Sequence, residues 1–231
     1  MIDRLLVAGF ISCVTAGISN AQAVPLEREP RHRVVLASGS FSIFDVRIPP
    51  GDTTLFHTHR FPQLLIRVSV SPTDVQLADS AWAGTLPSAD PGWRPGDVVI
   101  DSGFVQVLFT YRVTNVGAQP FRLILINTSN SAKNAVPGRL REMSGQAGLT
   151  SSWFLQSRLI IPAQDETGLL TASLPTILVQ PREGHARVNV SGRPEQVLDE
   201  PGAWLSLPAG ASYRIRNIGS QVADIVLVQI R

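Results

Sequence analysis

The feature that most constrains this 231-residue chain is that its second half repeats its first. Written without gaps at an offset of 113 positions, RIPPGDTTLFHTHRFPQLLI from Arg47 lies over IIPAQDETGLLTASLPTILV from Ile160. The overlay matches Pro49 to Pro162, Asp52 to Asp165, Thr54 to Thr167, Thr58 to Thr171 and Pro62 to Pro175. Further on, RPGDVVIDSGFVQVLFTYRVTNVG (94–117) corresponds to EPGAWLSLPAGASYRIRNIG (200–219), with four extra residues between Gly96 and Tyr111 in the first copy. The chain's two tyrosines, Tyr111 and Tyr213, fall at the same place, each four residues before an asparagine, Asn115 or Asn217. Such self-similarity means one structural unit built twice. The units are placed at 33–127 and 153–231, and the polar, Gly-containing stretch 128–152 reads as a linker.

The unit is all-β. Short runs such as FSIFDVRI, QLLIRVSV, DVVIDS, LFTYRVTNV and FRLILI are rich in Val, Ile, Leu and Phe, and Gly, Pro, Asn, Asp and Ser separate them at regular intervals. That spacing is the pattern of an antiparallel sandwich or barrel. Helical periodicity is almost absent; only 76–83 and 138–144 leave room for a short helix.

Gly51, five residues, His57-x-His59, three residues and Gln63 together resemble the first motif of the cupin superfamily, G-x5-H-x-H-x3,4-E, with Gln in place of Glu. The second motif, G-x5-P-x-G-x2-H-x3-N, is matched by Gly202, Pro208, Gly210, Tyr213 and Asn217, with Tyr in place of His, and in the first copy by Gly96, Tyr111 and Asn115. The resemblance spans nearly the whole repeated region, so it is that of a bicupin. It implies two tandem double-stranded β-helix (jelly-roll) barrels, each with a central pocket. It implies no single activity, because one fold carries many chemistries.

The same resemblance makes positions 57, 59, 63 and 111 the four metal-ligand positions, here His, His, Gln and Tyr. On a strand His57 and His59 share one face, roughly 7 Å apart. Two imidazoles aimed into one cavity suit one divalent ion: Fe, Mn, Ni, Cu or Zn. Gln63 keeps a carbonyl oxygen that can ligate, but lacks the charge that would offset a cation in a low-dielectric interior. Tyr111, with an ordinary pKa near 10, is a phenolate ligand only to a strong Lewis acid and otherwise a hydrogen-bond donor beside the site. The alternative is two barrel histidines hydrogen-bonded to Gln63 and Tyr111. In the second copy the equivalent positions are Leu170, Ala172, Thr176 and Tyr213, which is no metal site. His185, beside a turn, and His32, in the charged stretch EREPRHR, read as exposed loop histidines.

If the pleat continues from His59, Arg67 also faces inward, where a guanidinium can grip a substrate carboxylate with two bonds. A bulge would turn it to the rim instead. The stretch DVQLADSAWAGTLPSADPGW adds Trp82 and Trp93 to the first copy only, as a lid over a small organic ligand, as cover for a sheet edge or as packing on the second barrel. Trp153 and Trp204 belong to the second copy's core or to the contact between barrels.

Residues 1–23 have the layout of a secretory signal peptide: Arg4, the apolar run LLVAGFISCVTAGI, then Ala21-Gln22-Ala23. The run is shorter than a bilayer needs and holds Ser and Thr, so stable membrane insertion is not expected. Cleavage near Ala23 gives a periplasmic or extracellular protein. The only cysteine, Cys13, leaves with the leader, so the exported chain depends on its core rather than on disulfides. The formal net charge is only +2 and the arginines are scattered, which argues against a nucleic-acid partner.

Three functions fit: a metal-dependent enzyme, a module that captures a small molecule in the same pocket, and a structural or partner-binding envelope protein with filled pockets. The missing acidic ligand counts against oxygen activation, which usually uses two histidines and one acid, and less against binding.

Overall fold

The β-branched and aromatic runs become strands because each alternate side chain finds a covered face. The computed structural model describes residues 22–78, 80–85, 93–132, 137–143 and 148–231; the leader assigned to 1–23, with Cys13, lies outside them except for its last two residues. The first copy holds β1 (Val24–Pro25), β2 (His32–Ser38), β3 (Phe41–Ile48), β4 (His57–His59), β5 (Gln63–Ser69), β6 (Thr73–Leu77), β7 (Trp82–Thr85), β8 (Val98–Asp101), β9 (Phe109–Asn115), β10 (Phe121–Thr128) and β11 (Arg139–Glu142). The second holds β12 (Phe154–Ile161), β13 (Leu170–Thr171), β14 (Thr176–Gln180), β15 (Ala186–Val190), β16 (Gln196–Leu198), β17 (Ala203–Leu207), β18 (Ser212–Asn217) and β19 (Ala223–Ile230).

Each copy is a pair of facing sheets, the jelly-roll arrangement. In the first, β1-β4-β9-β6-β7 faces β11-β8-β5-β10-β3-β2; in the second, β13-β18-β15-β16 faces β12-β19-β14-β17. The orders coincide strand for strand, β3-β10-β5-β8 with β12-β19-β14-β17 and β4-β9-β6-β7 with β13-β18-β15-β16. The register coincides too, since Ile48 pairs with Phe121 where Ile161 pairs with Ala223. Polar residues matched between the copies hold equivalent joints: the Val113 and Ile215 N–H groups donate to the Thr54 and Thr167 hydroxyls. Asn115 and Asn217 in turn donate to the carbonyls of Ile48 and Ile161.

Neither short helix allowed for in the sequence forms. The 76–83 region is a hairpin of β6 and β7, and 138–144 carries β11, which pairs with β8 within the stretch read as a linker. Pairing on an edge outweighs weak local helical preference in both places. None of the helices among the described residues is long and apolar enough to cross a membrane.

The two copies share a core. Ile124 and Ile126 of β10, Leu64 and Ile66 of β5 and Ile43 of β3 point out of the first barrel onto Val226 and Val228 of β19, Ile177 and Val179 of β14 and Phe154, with Trp153 and Trp204 in the same cluster. Strands buried on both faces explain the unbroken apolar runs LILI (123–126) and IVLV (225–228). At the margin, Asp45 pairs with Arg122, and Arg158 with Asp224, at distances of 2.9 and 2.8 Å. By the repeat, Arg158 stands where Asp45 stands and, at the offset of 102 set by the tyrosines, Asp224 stands where Arg122 does. The pair is thus reversed in charge between copies.

Each arginine of these pairs also crosses to the other half, Arg122 to the Pro201 carbonyl and Arg158 to that of Gly96. Both crossings fall at turns whose backbone favours glycine. Gly96 and Gly202 have φ of 92° and 83°, and a Cβ on Gly202 would stand 2.8 Å from the Arg122 guanidinium. Arg158 holds two buried carboxylates, Glu142 and Asp224. Removing it takes away the ion pair of buried Glu142 and leaves Asp224 with Arg182 at 3.6 Å, so Arg158→Ala is expected to cost about 3–5 kcal/mol in urea unfolding; a loss under about 1 kcal/mol would show the clamp to be dispensable.

Candidate metal centre

β4 pairs with β9 so that His57 stands opposite Tyr111 and His59 opposite Phe109. The alternation of the strand turns both imidazoles inward, where they are 0% and 3% exposed. A third histidine joins them. His32, at the start of β2, is buried, and its ring centroid lies 4.6 Å from that of His57. One ligand nitrogen from each of His32, His57 and His59 lies within 4.8 Å of the others. The expectation that His32 is an exposed loop residue is therefore overturned, whereas His185 is exposed. Proximity to His57 comes from the antiparallel return of β2 along β3 and from β1 running beside β4, contacts that no local pattern reports.

In each ring Nδ1 is held by an oxygen. His57 Nδ1 donates to the Leu55 carbonyl at 2.8 Å, His59 Nδ1 to the Gln63 side-chain oxygen at 2.8 Å, and His32 Nδ1 meets Glu29 Oε2 at 2.6 Å. On His57 and His59 the remaining nitrogen, Nε2, is buried without a partner. This division of labour, one nitrogen anchored and the other free, is that of metal-ligating histidines with their supporting groups. Gln63, read from the motif as a third ligand, has its oxygen engaged by His59 and so orients that ring. The third imidazole is His32.

Glu29 anchors the arrangement. Its side chain is fully buried; it accepts from the Arg31 and Leu55 N–H groups, and the Leu55 carbonyl in turn accepts from His57. Burial pushes its carboxyl up, but the hydrogen bond and charge of His32 and the two backbone donors outweigh that and leave it below the ordinary value. Burial pushes His57 down to about 4, a charge on His32 adding to it, and pushes His59 well below its ordinary value. Both are neutral at pH 7, the form that ligates. Burial, aided by Asp101, raises the Tyr111 hydroxyl, so Tyr111 is a neutral phenol, its ring stacked parallel on His59 at 5.0 Å. Phe104 stacks on His59 as well, and beside His59 and Gln63 a cavity of about 190 Å³ opens, lined also by Leu26, Thr58, Phe61 and Asn127.

Arg67 is on the inner face too, since the irregularity in the pairing of β5 with β10 falls beyond Leu123–Arg67, but it stands four residues from Gln63. Asp101 closes β8 as the register partner of Gln63. Trp93 of the first-copy insertion stacks on Arg67, while the Trp82 side chain lies outside the described residues. In the second copy Leu170, Ala172 and Tyr213 pack into an apolar cluster with Val188, Ile215 and Ile225.

No family model matches the chain, and no curated protein matches it either. Solved structures do. AerE from Microcystis aeruginosa is similar over 88% of this chain and 98% of its own, at 13% identity and a TM-score of 0.59. Protein Ylba from E. coli is similar over 88% and 84%, at 9% identity and a TM-score of 0.61. A salicylate 1,2-dioxygenase from Pseudaminobacter salicylatoxidans is similar over 83% and 71%, at 12% identity and a TM-score of 0.52. At such identities the likeness is one of fold. The fold is the cupin fold, two barrels in tandem, as the motifs around His57 and Gly202 imply.

The depressed histidine fixes an acid limit. An unfolded histidine takes up its proton near 6.5 and His57 only near 4, so the stability this site contributes is complete above pH 6.5 and is lost as pH falls towards 4. Metal-free protein is expected to lose about 3 kcal/mol through His57 across that window, measured by urea unfolding at several pH values, with a flatter profile in His57→Phe. Equal slopes for both would contradict a buried neutral His57.

Proposed function

We propose that the first barrel binds one divalent transition-metal ion through His32, His57 and His59, and that the cavity beside His59 admits a small molecule to it. The observation that carries this reading is the pair of buried, partnerless Nε2 atoms beside a third imidazole whose Nδ1 is fixed by a carboxylate. A buried polar atom without a partner is costly, and a cation removes that cost for two of the rings at once. The donor set suits Fe, Mn, Ni, Cu or Zn. Three protein ligands leave a coordination position open, as catalytic rather than structural sites do. An imidazole ligand brings no negative charge, and Glu29 behind His32 offsets only one unit of a divalent ion's charge, which favours an anionic or oxygen-bearing ligand.

When bound, such an ion supplies Lewis acidity to an oxygen of the ligand. The protein's part is to hold the imidazoles through Glu29, Leu55 and Gln63, to present Tyr111 as a neutral hydroxyl, and to exclude water with Phe104 and the N-terminal segment. That a structurally similar protein is a salicylate dioxygenase makes an enzymatic role reasonable, although the acid usual in oxygen activation is absent from the ligand set here. The second barrel, filled by side chains, is a scaffold. A purely structural or partner-binding role for the whole chain is the alternative, and that filled barrel is what favours it. On the strength of the leader we also place the mature protein outside the cytoplasm, in the periplasm or beyond.

Metal analysis of untagged protein tests the reading. One ion per chain is expected in the parent and none in the His57→Ala/His59→Ala variant. Glu29→Gln, which leaves all ligands in place, is expected to weaken metal affinity about 10- to 100-fold. Equal, negligible metal in parent and double variant would leave only capture or a structural role. Metal binding untouched by His32→Ala would reduce the site to the two motif histidines.

A further inference from the structure

Two other arginines with largely covered side chains are closely partnered: Arg158 holds two carboxylates and a carbonyl, and Arg122 holds Asp45 and a carbonyl. Arg67 is different. It is 9% exposed, and its Nε and Nη1 are buried without an acceptor. Its position in the repeat is taken in the second copy by Gln180, a neutral side chain whose Nε2 donates to the Gly184 carbonyl of its own turn while its Oε1 is buried without a partner.

What Arg67 does touch is aromatic. Its guanidinium carbon lies 4.1 Å from the centre of the Trp93 ring and 5.6 Å from that of Phe121. Stacking of this kind uses the face of the guanidinium and leaves its in-plane N–H groups pointing outward. The stack therefore fixes the fork without filling it. Either free nitrogen combines with Nη2 into the two-pronged donor edge that a carboxylate or phosphate accepts. The surroundings are positive, with Arg139 and Arg141 close enough to lower the proton affinity of Arg67 after burial itself has done so, and Asp97 acting in the opposite sense. A cation buried in such company calls for an anion.

The histidine centre is not that partner. Gln63 and Arg67 lie on one face of β5 but four residues apart, roughly 13 Å of strand, and Leu65 between them packs into the apolar cluster of the barrel.

We propose that Arg67, held on Trp93, forms an anion site in the first barrel, separate from the histidine cluster, that takes the carboxylate or phosphate group of a small molecule. It does not depend on the metal reading, so it is tested in metal-free protein. Chelator-treated full-length protein in Tris chloride is titrated with sodium phosphate and, separately, with sodium benzoate, each against sodium chloride at equal ionic strength, while melting temperature and tryptophan fluorescence are recorded. A saturable rise in melting temperature with one or both oxyanions, absent with chloride, is expected; which of them gives it identifies the ligand as a phosphate ester or a carboxylic acid. Arg67→Met is expected to lose the response at least 100-fold while melting no lower than the parent in oxyanion-free buffer, because it removes a buried cation whose Nε and Nη1 lack acceptors and keeps the stem on Trp93. Arg67→Lys, which keeps the charge but not the fork, is expected to weaken the response at least tenfold. No saturable response in the parent, an equal response to chloride, or an Arg67→Lys response equal to the parent's would overturn the proposal.

Discussion

The packing of one sheet from each copy, face to face, is the constraint from which the remaining architecture follows. Because β3, β5, β8 and β10 bury their outward side chains against β12, β14 and β19, their inward side chains are committed to the two barrel interiors. A shift of one residue in any of these strands would exchange the two sets. The reversed pairs Asp45–Arg122 and Arg158–Asp224, each reaching a glycine turn of the other half, hold the margins of that contact. A complementary pair thus stands at this place in both copies, with the strand that carries each sign exchanged.

Freed from the contact between copies, the interiors have diverged. In the second barrel Leu170, Ala172, Val188 and Ile215 close the space with apolar side chains. In the first, apolar packing by Phe44, Val46, Leu65 and Leu123 occupies only part of it. The rest holds His32, His57, His59, Gln63 and Arg67, a concentration of buried polar groups that a stable fold tolerates only where each has a partner or a purpose. Glu29 supplies much of that partnership, tying the N-terminal segment to the imidazoles through His32 and through the peptide of Leu55.

Much of this is legible in the sequence. The 113-residue offset and the placement of Tyr111 and Tyr213 carry over into equal strand orders and equal registers. The alternation in HTH places both imidazoles on one face, as found. His32 was not legible. In EREPRHR it sits among charges, which locally read as a solvated segment, and its burial follows from Glu29 and from the return of β2 beside β3. The role of Gln63 was legible only as an oxygen near the site; which neighbour that oxygen meets depends on the turn between β4 and β5.

Periodicity, spacing and duplication are local or internally comparative, and they settled what the sequence by itself determined: an all-β chain, made twice, with one copy carrying histidines and the other not. The tertiary structure alone decided which groups from distant segments meet: His32 with His57, Arg158 with the Gly96 turn, and Arg67 with Trp93. The physical reason is that burial and pairing are properties of the assembled space. A charged residue reads the same in sequence whether water or a barrel interior surrounds it, and only the closing of the sheets distinguishes the two.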